Sequence, residues 1–477
     1  MAKFATGLKF DTVHDYGSST SYFMELHNYQ AAVFLIFLSY GLNMESMTAS
    51  LDPFAQNAKG LMIWLCLLFS GIVPASSLPI PMLRGGSGSQ YGVPEIQFRF
   101  DSQKPFEVPA VVDLAHDAPV FGDKREIFLR FNYWNGVDQA GIMSWKADTG
   151  LRTVRFKDTM FPSSLRYSDR DSKLYFELVN YGYFGEGLFS LDSELNNLKT
   201  IYQGQQDLFT SDLGRSESRS TIAFRSKRKT GGQSLSSIRL DRGERQDFLE
   251  TVELQENSKI SWIFAPRFSS DGRYAVVKVR KGSSNEFAES QPDEIRVYNF
   301  DKEGRASLVS AIHDKDADAD SPFVSFDNVA EINSKGNVVF GAKGLDGRRG
   351  YFFLSSDKLV PIVKEGREMG IEELPHFYPK VNDRDEVVFR ARTKFGESVM
   401  LFSQGQLSNL LKAGDRLKSD LGGVIAGDVD PKKNSFFNSP QINNHGDVLV
   451  GVLLREPQTQ VNVGLGFYII PRNSGEK

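Results

Sequence analysis

Residues able to do chemistry are spread thinly along this chain. After residue 75 the only histidines are His116, His313, His376 and His445, too far apart to pair by spacing. No G-x-S-x-G elbow, H-E-x-x-H pair or phosphate-cradling P-loop occurs, so acyl transfer, zinc hydrolysis and nucleotide chemistry have no local signature. Three stretches do carry binding chemistry. His313 to Asp320 alternates carboxylates, and Asp314, Asp316, Asp318 and Asp320 offer the hard oxygens that suit calcium. The stretch lacks the Gly and Glu of an EF-hand at the sixth and twelfth positions, so a solvated acidic loop is the stronger reading. Phe131 to Gly136 and Asn180 to Gly185 are aromatic, and Tyr133, Trp134, Tyr181, Tyr183 and Phe184 could stack on sugars or peptides. The plainer reading packs those rings against the body of the protein. Arg225, Lys227 and Arg228, with Lys229, offer an anion or phosphate contact, although such a run is usually only solvated.

Composition narrows the classes of function. The 477 residues have a formal net charge of −4, which sets up no field to attract nucleic acid or anionic lipid. Thirty-seven Phe and 42 Gly, strong strand formers beside turn formers, point to an all-β protein. The single cysteine, Cys66, excludes an intrachain disulfide and any cysteine-based metal centre.

The first 75 residues read as a leader. Ala31–Leu42 and Leu61–Val73 are apolar but short of the roughly 20 residues a membrane-crossing helix needs. Lys59 before the second run, and Val73-Pro74-Ala75 after it, suit a secretory signal cut after Ala75. Such a signal implies a start near Met44 or Met47, with residues 1–43 an over-extended start. The competing reading is a helical hairpin in the membrane that includes residues 31–42. Residues 76–92, with RGGSGSQ at 84–90, have linker composition, 93–472 form the folded body and 473–477 a tail.

One pattern recurs seven times in that body: a short strand, a polar turn, then an apolar strand. Its anchors are Leu129, Phe176, Phe224, Val276, Phe340, Phe389 and Val450, at intervals of 47 to 64 residues. Each unit holds four strand-like runs, which matches a β-propeller blade. Sandwiches need about 100 residues each, and solenoid repeats are shorter. The seventh unit stops one strand short after Ile470, while Glu95–Phe100 is a spare strand at the other end. The expected fold is therefore a seven-bladed propeller of four-stranded antiparallel blades, its last blade completed by the N-terminal strand.

Asn333-x-x-Gly336-x-x-x-Phe340 and Asn443-x-x-Gly446-x-x-x-Val450 resemble the N-x-x-G-x-x-x-F tandem repeats of exported bacterial proteins. Pro266 to Arg273 is similar to the repeat of TolB-type periplasmic propellers. The resemblance covers most of residues 110–470, implies the propeller fold and transfers no catalytic residues. The second and third copies lack the Gly, and the first lacks the Asn. The Ser-x-Asp-x-Gly-x-x-Trp turn of sialidase-like propellers is absent, because Asp271 abuts Gly272.

Turns between strands one and two, and three and four, are short. The long segments Lys281–Asp293, His313–Phe323, Gly366–Phe377 and Ala413–Ser439 fall between strands two and three or between blades, on one side of the disc. Binding usually resides on such loops. The expected function is an exported recognition or scaffolding module, periplasmic or extracellular, taking a carbohydrate or protein ligand on that side. The mature domain is expected to be monomeric, outside the membrane, and without a cofactor unless calcium binds. One alternative is a propeller hydrolase or lyase acting on polysaccharide, with acids such as Asp314, Glu373, Asp428 and Asp430 gathered at the mouth. Another is an envelope-assembly partner similar to TolB.

Overall fold

In this computed structural model the described residues are 91 and 93–473, apart from 101–110, 115–118, 135–137, 157–160, 170, 180–184, 204–206, 217–220, 229–231, 240–242, 251–259, 283–291, 356–357, 367–369 and 429. The leader reading, Cys66 and most of the linker thus fall outside them. The described elements are strands in seven antiparallel sheets, one after another along the chain. They span residues 111–155, 161–202, 207–250, 260–313, 323–364, 371–412 and 422–470, here blades 1 to 7. Blade 5 shows the plan, with strands Phe323–Ile332, Val338–Gly344, Arg349–Ser355 and Lys358–Lys364 pairing in sequence. The chain is a seven-bladed β-propeller.

Period-two alternation explains the packing. All seven anchors are buried in the second strand of their blade, where a Leu, Phe or Val fills the space between neighbouring sheets. Burying one such side chain stabilises by roughly 1.5–3 kcal/mol. Blade 4 needs a correction of one residue. Phe268 pairs with Ala275, as Ile332 pairs with Val338, so Val277 and not Val276 stands where Phe340 stands in blade 5. The added residue is Arg273, which lengthens that turn.

The repeated polar turn fastens blade to blade. The Asn333 side-chain oxygen accepts from the amides of Lys335 and Asn337, and Gly336 takes φ 82°, which a side chain disfavours. Its amide nitrogen is then free to donate to Asn382 O of blade 6 at 3.0 Å. Asn382 donates to Asn443 O of blade 7 at 3.1 Å, and Asn443 to Gly122 O of blade 1 at 3.4 Å. The following residue makes a parallel chain: the amides of Ser334, Asp383, Asn444 and Asp123 donate to the side chains of Asp383, Asn444, Asp123 and Asp169 in turn. Where Gly is missing, Arg125 and Asp385 occupy the same left-handed position at φ 65° and 64°, and in blade 2 Ser172, one residue further on, takes φ 50°. Burial and the neighbouring Asp123 push the Asp169 carboxyl up to about 6.

A second set of fasteners runs through the interior. The first strand is broken or bulged midway in each blade, which leaves carbonyls without a ladder partner. The residue after the anchor in blades 1, 3, 4 and 6 is basic, and it donates to such a carbonyl in the next blade. The contacts are Arg130 to Pro162 O at 3.4 Å, Arg225 to Ile263 O at 2.6 Å, Lys278 to Phe326 O at 3.0 Å and Arg390 to Asn438 O at 3.2 Å. In blade 5 this position is Gly341, where a Cβ would collide with Asp327; Arg349, held by Asp327, reaches Pro375 O instead.

Closure follows the expected route. Glu95–Phe100 pairs antiparallel with Asn462–Ile470, from Glu95 opposite Ile469 to Phe100 opposite Leu465. Blade 7 also carries more than four strands. Within Ala413–Ser439, the strands Arg416–Ser419 and Gly422–Ala426 form a hairpin that joins its sheet, so this segment is only partly loop. Leu417, Leu421 and Val424 of the hairpin enter the core shared by blades 6 and 7.

Candidate functional site: one face and the axial channel

The hydrogen bonds between successive first turns place those turns together on one side. Because each strand reverses the last, the connections from strand two to three, and from blade to blade, lie on the other side. Lys281–Asp293 and His313–Phe323 are connections of that second kind, whereas Gly366–Phe377 and Ala413–Ser439 also carry first-strand pieces of blades 6 and 7, at Ile371–Glu373 and Gly422–Ala426. The turn side is committed to fastening. The opposite side exposes apolar side chains at the strand-two-to-three turns of three successive blades: Leu345 at 65%, Phe395 at 77% and Val461 at 43%. The Lys394 ammonium lies 4.8 Å from the Phe395 ring centroid and leaves the ring facing solvent.

The candidate residues named from the sequence fare differently. Tyr133 and Trp134 are not in a loop. They end the strand Ile127–Trp134, opposite Gln139 and Asp138, and Phe131 of the same stretch is core. Tyr181, Tyr183 and Phe184 lie outside the described residues, in the connection from Val179 to Gly185. Arg225, Lys227 and Arg228 belong to the strand Thr221–Arg228. Arg225 is 6% exposed and bonded to Ile263 O, so it is an interblade fastener and not a surface ligand contact; burial of the strand behind the anchor is the reason.

The alternating carboxylates do not converge. Asp314 is buried and accepts from the amides of Asp293, Asp316 and Ala317; Asp316 pairs with Lys315, and Asp318 accepts from the Asp320 amide. Asp314 and Asp318 thus serve their own turns, and Asp316 an ion pair. Among the described residues no group of three or more His, Cys, Asp or Glu is arranged to hold a metal ion. The other proposed acids are also occupied. Glu373 pairs with Arg392, Asp428 with Arg455, and Asp430 accepts from the Lys432 amide at 3.0 Å.

What gathers at the axis is instead basic. Register identifies one equivalent position on every first strand, the residue paired opposite the one before the anchor. It is Arg166, Arg267, Glu331, Lys380 and Gln441 in blades 2, 4, 5, 6 and 7, while Val120 and Gly214 hold it in blades 1 and 3. Ala330 and Ile332, on either side of Glu331, point into the core, so Glu331 points to the axis. There it meets Arg267 Nε at 3.2 Å and Lys380 Nζ, from the blades before and after. Arg166 of blade 2 acts electrostatically on both Glu331 and Lys380. Burial alone would raise the Glu331 carboxyl, but Lys380, Arg267 and Arg166 hold it below the usual carboxylate range. Burial, aided by the two arginines, pushes Lys380 down to about 8 against the pull of Glu331.

Neither site stood out in the linear sequence. A lone Leu, Phe or Val in a polar turn is an unremarkable surface residue. The channel layer was legible in principle, as the residue two before the first turn residue of each unit, but only once the pairing register is known.

No protein-family model and no curated protein matches the chain. Solved structures similar to it include the β-propeller domain of the Trilobed protease from Pyrococcus furiosus, at 11% identity and TM-score 0.47, covering 75% of this chain and 96% of that one. An oligogalacturonate lyase from Vibrio parahaemolyticus matches at 10% identity and TM-score 0.47, over 81% and 98% of the two chains. TolB from Acinetobacter baumannii matches at 10% and 0.37, over 59% of this chain and 60% of TolB.

Proposed function

We propose that the protein is a recognition module that docks a polypeptide partner on the long-connection face. The observation that carries this reading is the row Leu345, Phe395 and Val461 on three successive blades of a rigid ring. Apolar side chains held on short turns present contact area at little ordering cost, which favours docking of a partner's own apolar side chains. A glycan is the second reading, supported by the aromatic composition of residues 131–136 and 180–185, which hold Tyr133, Trp134, Tyr181, Tyr183 and Phe184. Peptide and glycan arrays separate the two, with signal expected on peptides carrying exposed Leu, Phe or Trp. Signal confined to glycans would overturn the first reading in favour of the second.

A hydrolase or lyase acting on polysaccharide has less support, since Asp314, Glu373, Asp428 and Asp430 are each taken up by a turn or an ion pair. Turnover of a polysaccharide that is lost on substituting one of these acids would restore it. Export is part of the proposal and rests on the run Leu61–Val73 with its small residues before a cut after Ala75. N-terminal sequencing of the protein recovered outside the cytoplasm is expected to begin at Ser76. A chain retaining Phe4 or Phe10 would contradict it.

A further inference from the structure

We infer that the segment docked on the long-connection face is acidic, with Asp or Glu beside the apolar residues that meet Leu345, Phe395 and Val461. This rests on the docking reading above and adds the charge of the partner. An asymmetry among the ionised side chains around the apolar row carries it. The acids there are held by the protein's own groups, whereas the lysines stand unpaired.

Acid by acid, the partners are local. Asp346 accepts from the Arg348 amide at 3.1 Å and lies 3.5 Å from Lys364 Nζ. Glu365 accepts from the Leu374 amide at 2.8 Å, Asp430 from the Lys432 amide at 3.0 Å and Glu456 from the Thr459 amide at 2.7 Å. Asp415 accepts from the Lys412 amide at 2.9 Å, and the Lys412 charge offsets its own. Glu373 pairs with Arg392, and Asp428 with Arg455. An ion pair cancels a carboxylate's charge at a distance, and aligned amides offset part of it. The lysines differ. Lys343, Lys394 and Lys432 are exposed, and none of them forms an ion pair among the described residues. Lys433, 64% exposed, comes within 3.9 Å only of Asp428, which Arg455 already holds. Their placement follows the apolar row. Lys343 ends the strand beside Leu345, and Lys394 shares the turn of Phe395. A Cβ on Gly396 would meet Pro431, so Lys432 and Lys433 stand beside that same turn. Glu372, exposed on the strand Ile371–Glu373, is the acid that opposes them. Ammonium groups around an apolar centre reward carboxylates at the rim of a docked segment, and such charges govern partner choice more than total affinity.

The test uses the full chain and synthetic peptides that share one core of Leu, Phe and Trp and carry Glu, Gln or Lys between those residues. Affinities are measured by calorimetry in about 0.05 M and about 0.5 M salt. In low salt the Glu peptide is expected to bind about tenfold more tightly than the Lys peptide, and the gap should shrink in high salt. Combining Lys343→Gln, Lys394→Gln, Lys432→Gln and Lys433→Gln is expected to abolish the gap, with the melting temperature confirming the fold. Equal affinity for the Glu and Lys peptides in low salt, or a gap that persists in the folded quadruple variant, would overturn the inference and leave the docking face standing. Polyglutamate binding as tightly as the Glu peptide would also overturn it, because charge alone would then suffice. Failure of every core peptide to bind would overturn the docking reading together with it.

Discussion

Removing residues 91–100 is expected to destabilise the whole ring and not merely one blade. The strand Glu95–Phe100 covers the edge of Asn462–Ile470, and Tyr91 is buried with Tyr468 and Ile470 in the core between blades 6 and 7. Ile96 packs on the same cluster, and Tyr91 bridges to Arg472. Losing two large side chains and one ladder is expected to cost about 3–5 kcal/mol. For a domain of this size that corresponds to a fall of about 5 °C in melting temperature. The bared edge should also make the variant aggregate with rising concentration. A melting temperature equal to that of the intact chain would show that closure by this strand is wrong.

Glu397→Gln should be the most damaging single substitution in the interior. Arg390 and Glu397 are both fully buried, with Arg390 Nε 2.7 Å from Glu397 Oε1. The same acid accepts from the amides of Ser435 and Phe436 at 2.7 and 3.2 Å, and the Arg390 guanidinium stacks 3.6 Å from the Phe377 ring centroid. One ion pair thus links blade 6 to the first strand of blade 7. Neutralising the acid leaves a buried guanidinium without its counter-charge, expected to cost about 3–5 kcal/mol by denaturant midpoint. Replacing both residues with Met should recover part of the loss, because two buried charges are then absent together. A neutral effect of Glu397→Gln would mean the guanidinium is hydrated in solution.

Much of this architecture was legible because the polar turn has a side-chain signature. Asn333, Asn382 and Asn443 must fold back on their own amides, and an apolar anchor must follow at fixed distance, so the copies align by eye. The first and sixth copies align most closely although Arg125 and Asp385 take the left-handed turn position there against their ordinary preference. The basic residue after the anchor was misread. In sequence, Arg225 beside Lys227 and Arg228 looks like a solvated run, because nothing local reveals that the next blade's broken strand leaves Ile263 O in need of a donor. The carboxylates of Asp314 to Asp320 read in the sequence mainly as a solvated acidic loop. Alternation mimics a metal loop, but Asp314 and Asp318 accept from amides of their own turns and Asp316 pairs with Lys315. The channel layer depends on interblade register, which only pairing between distant strands defines.

The most direct test of the recognition surface compares two sets of substitutions on opposite sides of the ring. Leu345→Ser, Phe395→Ser and Val461→Ser would be combined in one variant, and Arg384→Ser with His445→Ser on the exposed first turns in another. Binding to the peptides selected by the array would be measured for both, with melting temperatures to confirm folding. Loss of at least tenfold in affinity is expected for the first variant alone, as for truncated apolar anchors at an interface. Undiminished binding by the first variant, or an equal loss in the second, would contradict the assignment of the long-connection face.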